Sequence, residues 1–170
     1  MTAGYRSLSF WHDTVPGPLD PRPALPGDRD ADVAIIGAGY TGLWTAYHLS
    51  LLDPSLRIVV LEREIAGFGA SGRNGGWALG EYGISPMAFA AASSRDAALR
   101  QTRSLYDAVD DIGRVADAED IDCHYAKGGW IDWARSPTQL ERARASVTAR
   151  HELGLTGDEV RLLGPDEAKA

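Results

Sequence analysis

Cysteine is nearly absent, with Cys123 alone among 170 residues. No internal disulfide can form from one thiol, and no cysteine-based zinc site can be built. Long apolar runs are missing too. The start, MTAGYRSLSFW, lacks the apolar core of a secretory leader, and no stretch approaches the ~20 apolar residues that a spanning helix requires. These absences predict a protein of the reducing cytoplasm with no membrane span. Basic clusters are also wanting. Lys and Arg total 17 against 24 Asp and Glu, a net charge of −7. That balance offers no positive face for phosphate backbones and argues against nucleic acid as a partner. His12, His48, His124 and His151 are scattered without metal-ligand spacing, so no metal site is expected. Neither an internal repeat nor a low-complexity tract is present. What remains is an ordinary globular composition, in a chain long enough to bury ~70% of its unfolded surface.

Residues 1–31 hold Pro16, Pro18, Pro21, Pro23 and Pro26. Proline fixes φ and removes a donor, which predicts an extended arm that Phe10 and Trp11 pin to the body. The pattern then changes. DVAIIGAG, residues 32–39, reads as a buried parallel strand ending in glycine. YTGLWTAYHLSLL, residues 40–52, places Leu43, Ala46, Tyr47 and Leu51 at helical spacing, and DPS at 53–55 stops it. RIVVLE, residues 57–62, reads as a second buried strand. Together these predict a βαβ unit.

The turn between the first strand and the helix reads Gly37-Ala38-Gly39-Tyr40-Thr41-Gly42, a G-x-G-x-x-G. The pattern alone is weak, but here it follows a strand and opens a helix. Gly37 permits the tight turn, Gly39 lets a pyrophosphate approach the backbone, and Gly42 lets helix and strand pack closely. Free N–H groups and the positive helix end then face the phosphates. Glu62 ends the second strand, where an acidic side chain accepts hydrogen bonds from both hydroxyls of an adenosine ribose. It disfavours a 2′-phosphate, an exclusion that the neighbouring Arg63 weakens slightly.

GFGASGRNGGW, residues 67–77, follows with five glycines. Backbone N–H groups at Gly69, Gly72, Gly75 and Gly76 would approach phosphates or a flavin ring without steric conflict. Arg73 would offset pyrophosphate charge, and Ser71 and Asn74 would donate hydrogen bonds. The bland alternative is a glycine-rich hinge.

Further on, Ala98, Leu99, Thr102, Leu105, Tyr106, Val109, Ile112 and Ala116 form one helical stripe within residues 93–120. Cys123 reads as a small buried residue, His48 as packed, and Asp110-Asp111 as solvated helix surface. GGWIDWA, residues 128–134, alternates like a strand with one buried face, which Trp130 or Trp133 would occupy. SPTQ, residues 136–139, predicts a helix start with Ser136 as cap, Pro137 at the first position and Gln139 closing a capping box; Gly154 marks its end. Pro165, Asp166 and Glu167 look like one more helix start just before the chain stops, as in a truncated chain. No triad or carboxylate dyad is evident, and the catalytic residues stay unassigned.

DVAIIGAGYTGLWTAYHL, VVLEREIAGFGASGRNGG, the leading SFWHDTVP and IDCHYAKGGWIDWARSPTQLER together resemble the D-amino-acid-oxidase-type FAD-dependent oxidoreductases, particularly the gamma-glutamylputrescine oxidase-like branch. The resemblance covers nearly the whole chain and implies FAD. Gly37, Gly39 and Gly42 would hold its pyrophosphate and Glu62 its ribose, while Ser71, Arg73, Asn74, Gly75 and Gly76 would lie along pyrophosphate, ribitol and flavin ring. Some relatives attach flavin through histidine or cysteine, and this loop has neither, so the implied FAD is non-covalent. The implied activity is oxidation of the C–N bond of a small-molecule amine or amino acid. The alternatives are a dinucleotide-binding fragment without turnover and an NAD-dependent dehydrogenase. Family members are much longer. The expected fold is therefore an incomplete α/β one: a Rossmann-like FAD-binding βαβ unit with additional helices and a strand from the start of a substrate domain. An arm over 1–31 would precede a truncated domain over 32–170.

Overall fold

A computed structural model describes residues 4–169. The chain forms two compact units, the first ending at Trp77 and the second beginning at Ala78.

The first unit opens with helix where an extended arm is expected. A 3₁₀ turn spans Tyr5–Leu8, and α1 spans Phe10–Thr14. The prolines all lie beyond it, so nothing in residues 5–14 forbids helical φ. Ser9 caps α1 by accepting from His12 N. Arg6 gathers the carbonyls of Asp13 and Gly17 at 2.8 and 2.7 Å, closing the turn that follows. Residues 15–32 carry no helix or strand, as the prolines dictate.

Strand β1 (Val33–Ile36), helix α2 (Tyr40–Leu52) and strand β2 (Ile58–Leu61) form the βαβ unit. The strands pair in parallel, with Val33 opposite Ile58 and Ile36 opposite Leu61. Asp32 and Arg57 fix this register at the strand starts. Asp32 N donates to Arg57 O, Arg57 N donates back to Asp32 Oδ2 at 2.8 Å, and the guanidinium grips both carboxylate oxygens. Burial departs from expectation: β1 is covered on one face only, and Ile36 is 90% exposed. Two strands and one helix supply a single covered face, whereas a parallel sheet ordinarily needs two. The α2 stripe is also partly bare, at Leu43 and Leu51. His48 stacks on Trp44 at 5.3 Å, packed as its position suggests.

The second unit is helical: α3 (Pro86–Ala92), α4 (Arg95–Ala118) and α5 (Pro137–Leu153). Every member of the predicted α4 stripe is buried or half-buried. Ala98 and Thr102 pack deepest, and Thr102 spends its hydroxyl on Ala98 O at 2.9 Å. Leu153 and Leu155 complete the core, each contributing about 2 kcal/mol by burial. The capping box at α5 forms with one change of register. Ser136 accepts from Gln139 N, but Gln139 Oε1 takes its bond from Arg135 N at 2.7 Å, one residue upstream. Gly154 ends α5 in the left-handed conformation. Among the described residues, only a 3₁₀ turn, Glu167–Lys169, follows Pro165.

Two expectations for this unit fail. Residues 128–134 form no strand: among the described residues none pairs with them, and an unpaired ladder has no means of holding strand geometry. Gly129, at φ +72°, also interrupts the alternation, and Trp130 and Trp133 both face solvent. Cys123 is exposed, not buried. It sits in the turn after α4, between Asp120 and His124, which both adopt positive φ.

Candidate functional site

All the residues singled out as a nucleotide site lie in the first unit, on two glycine-bearing loops. The first loop joins β1 to α2. Gly37 turns the chain at φ +100°, and its N–H donates to Leu61 O at 2.7 Å, tying the turn to β2. A Cβ on Gly42 would collide with the carbonyl of Gly37 and stand 3.2 Å from a methyl of Ile35. Gly42 thus secures the close helix–strand packing that the motif requires.

Glu62 lies directly beneath this turn. Its Oε2 accepts from Ala38 N at 2.9 Å and its Oε1 from Glu64 N at 3.1 Å. These N–H groups, Ala38 first, hold its carboxyl below the ordinary glutamate range. Each oxygen retains a second acceptor position for an incoming hydroxyl. Arg63 is largely exposed and pairs with Glu64 at 3.3 Å.

Three links fasten the second loop onto the first. Gly67 N donates to Ala38 O at 2.9 Å, Tyr40 N donates to Ser71 Oγ at 2.9 Å, and Asn74 Nδ2 donates to Tyr40 OH at 3.2 Å. Gly39, at the helix cap, has no side chain to cap with. Ser71 therefore supplies the cap from the other loop, and a Cβ on Gly39 would stand 2.9 Å from its oxygen. Sequence reasoning gave that space to a phosphate; in the structure Ser71 fills part of it and keeps its hydroxyl proton to donate.

The donors still available define what this surface can bind. Among the described residues, the N–H groups of Gly39, Thr41 and Gly42 at the α2 start have no protein acceptor, nor do those of Gly69 and Gly75. Gly69 and Gly75 also have open space where a Cβ would stand. Five N–H donors, a helix's positive end and an ionised carboxylate fit a dinucleotide's phosphates and ribose. Beyond its bond to Tyr40, Asn74 donates to Ser71 O at 2.8 Å and accepts from Gly76 N at 2.8 Å, so its amide is spent on the protein. Arg73 gives Nε to Phe68 O at 2.8 Å and lies over the Phe68 ring, leaving its terminal nitrogens unspent.

Gly72 and Gly76 face protein. A Cβ on Gly72 would meet Gly67 O and stand 2.7 Å from His12 Cε1; one on Gly76 would stand 2.7 Å from the Trp11 ring. Sequence reasoning missed Tyr5, Ser9 and His12 as neighbours of this loop. The available signal was SFWH, a tight polar–aromatic cluster ahead of the prolines. A separate cleft of about 240 Å³ in the second unit, lined by Tyr82, Phe89, Leu105 and Arg150 among others, contains none of the predicted site residues.

A βαβ unit with its glycine turn, acidic strand end and second glycine loop narrows the class, and comparison with known proteins settles the family. The model of the DAO family, FAD dependent oxidoreductase, matches residues 32–170, and the chain belongs to that family. It is 36% identical over 98 residues to the gamma-glutamylputrescine oxidoreductase of Escherichia coli (strain K12), covering 58% of this chain and 22% of that protein. It is 33% identical over 106 residues to the probable oxidoreductase OrdL of Haemophilus influenzae, covering 62% and 24%. For OrdL of Rhizobium meliloti the figures are 32% over 133 residues, 75% and 28%. The chain thus spans about a quarter of the length of these curated relatives. No solved structure matches it. Among the described residues, no helix is long and apolar enough to cross a membrane.

Proposed function

We propose that this chain is the amino-terminal part of a cytoplasmic flavoenzyme that oxidises the C–N bond of a small amine or amino acid. Residues 1–31 serve as its arm and 32–170 as part of a Rossmann-like FAD-binding domain. The observation that carries the reading is the set of unpartnered N–H groups at Gly39, Thr41 and Gly42, with Glu62 anchored beneath them by Ala38 N. FAD, when bound there, would supply the two-electron acceptor for oxidation of the C–N bond.

The chain's own residues bind and orient. Gly37, Gly39, Tyr40, Thr41 and Gly42 present the α2 start to the pyrophosphate. Glu62 holds the ribose, and Arg63 sits at its exposed side. Gly69, Ser71 and Gly75 donate along the ribitol and ring, and Arg73 balances charge. Gly72, Asn74 and Gly76 keep the loop in shape. The loop contains neither histidine nor cysteine, so FAD is held without a covalent bond. A second reading is that these residues bind the cofactor without turnover.

The test is to add FAD, remove the excess and record the visible spectrum. A retained flavin band, lost in Gly39→Leu, supports the cofactor reading; amine-dependent bleaching of that band separates turnover from binding alone. Retention of NAD but not FAD would sink the proposal in favour of a dehydrogenase.

A further inference from the structure

Residues 5–12 lean on the second glycine loop at several independent points. Ser9 Oγ donates to Gly72 O at 2.6 Å, and His12 Nδ1 lies 2.7 Å from Ser9 Oγ. A hydroxyl has one proton. Since Ser9 gives it to Gly72 O, Nδ1 of the buried His12 must carry the hydrogen between these two residues. Donation therefore runs from His12 to Ser9 and from Ser9 to the Gly72 carbonyl. Trp11 Nε1 donates to Asn74 O at 2.7 Å while its ring lies against Gly76. Tyr5 stacks edge-on to Phe68 at 6.2 Å and donates its hydroxyl to Glu64 at 3.0 Å.

These contacts hold carbonyls, and a peptide unit is planar. Fixing the carbonyl of Asn74 fixes the N–H of Gly75, which points the opposite way in the same plane. That N–H has no protein acceptor among the described residues, and the space beside Gly75 is open. The arm thus faces one side of the loop and leaves the other side for a ligand.

We propose that Ser9, Trp11 and His12 are positioning residues: they clasp residues 72–76 from behind and aim the Gly75 N–H at the cofactor. The proposal rests on the FAD reading above. It assigns the glycine requirement at Gly72 and Gly76 to the clasp, and that at Gly69 and Gly75 to the ligand.

The experiment uses Trp11→Phe, which keeps a ring against Gly76 but deletes the donor, together with Ser9→Ala and the rescue Ser9→Thr. Amide hydrogen exchange is followed by mass spectrometry on a peptide covering 66–77, first without FAD. FAD titration and the visible circular dichroism of the bound flavin follow. Both deletions are expected to speed exchange in that peptide severalfold, raise the FAD Kd about tenfold and change the flavin dichroism, with Ser9→Thr restoring all three. Unchanged exchange in both deletions overturns the clasp, whatever FAD does. Faster exchange with unchanged FAD affinity and dichroism overturns the positioning role alone. A wild-type chain that takes up no FAD overturns the cofactor reading, and the positioning role falls with it.

Discussion

The two glycine loops of the first unit are built by opposite means. The loop at 37–42 is held from within, where a helix and a strand press so closely that only hydrogen fits at Gly42, and β2 accepts from Gly37 N at 2.7 Å. The loop at 67–77 has only one 3₁₀ turn, Ala70–Gly72, and is held from without, by Ser71 and Asn74 bonded to the first loop and by Ser9, Trp11 and His12 behind. A glycine-rich stretch is therefore not one physical object. In the first loop glycine answers to the fold; in the second, its role changes residue by residue.

Gly42→Ala should have the largest effect, because the new methyl would meet a backbone carbonyl that cannot swing aside. The expected loss is about 3 kcal/mol or more in denaturant unfolding of the first unit. A loss under about 1 kcal/mol would show that close helix–strand apposition is not what requires glycine at this position. Gly76→Ala comes next. It strains a residue at φ +78° and presses on the Trp11 ring, a combination expected to cost about 2 kcal/mol. Trp11→Ala in the same chain should recover the steric part and leave the backbone part. If it recovers nothing, the ring is not what Gly76 accommodates.

The difference between the loops also decides how much the sequence revealed. Motifs that specify their own structure were readable: the strand–glycine–helix turn, the acidic end of β2, the α4 stripe and the Ser136 cap of α5. Each carries its signal in neighbours within a few residues, even where, as at Glu62 and Ala38, the contact it makes spans 24. The supports of the second loop lie about sixty residues away, at Ser9, Trp11 and His12, and no periodicity links the two segments. The arm's helix was hidden for a related reason. The five prolines dominate the composition of residues 1–31, yet all lie after Thr14, so the segment average masks its first half. The 128–134 stretch shows the converse: its alternation is legible, but a strand needs a neighbour, and pattern alone does not supply one.

Acid should loosen the first loop through the strands that carry it. The bonds of Arg57 hold the Asp32 carboxyl down at about 2, from an ordinary 3.8. A carboxylate whose folded value is depressed stabilises the fold above its unfolded value and loses that contribution as pH falls through the folded one. Stability should accordingly decline from about pH 4 towards pH 2, with Glu62, depressed in the same direction, adding to the trend. Asp32→Asn should be less stable at neutral pH and show a flatter profile over that interval. The pair is exposed, so the effect should be modest and shrink in high salt. Thermal unfolding followed at several pH values checks both signs, and a variant profile parallel to the wild type would remove Asp32 from the account.

The smallest effect on stability is expected where the ligand reading is most exposed to test. Gly69 and Gly75 have no atom near the position of a Cβ, and neither has a left-handed φ. Gly69→Ala and Gly75→Ala should therefore each change unfolding by less than about 0.5 kcal/mol. If these glycines are small so that a flavin or phosphate can lie against the backbone, each alanine should nonetheless weaken FAD retention severalfold, without the spread in stability that separates Gly42 from Gly76. Loss of affinity at unchanged stability marks a glycine that serves a ligand, whereas no change in either quantity returns this half of the loop to the status of a flexible hinge.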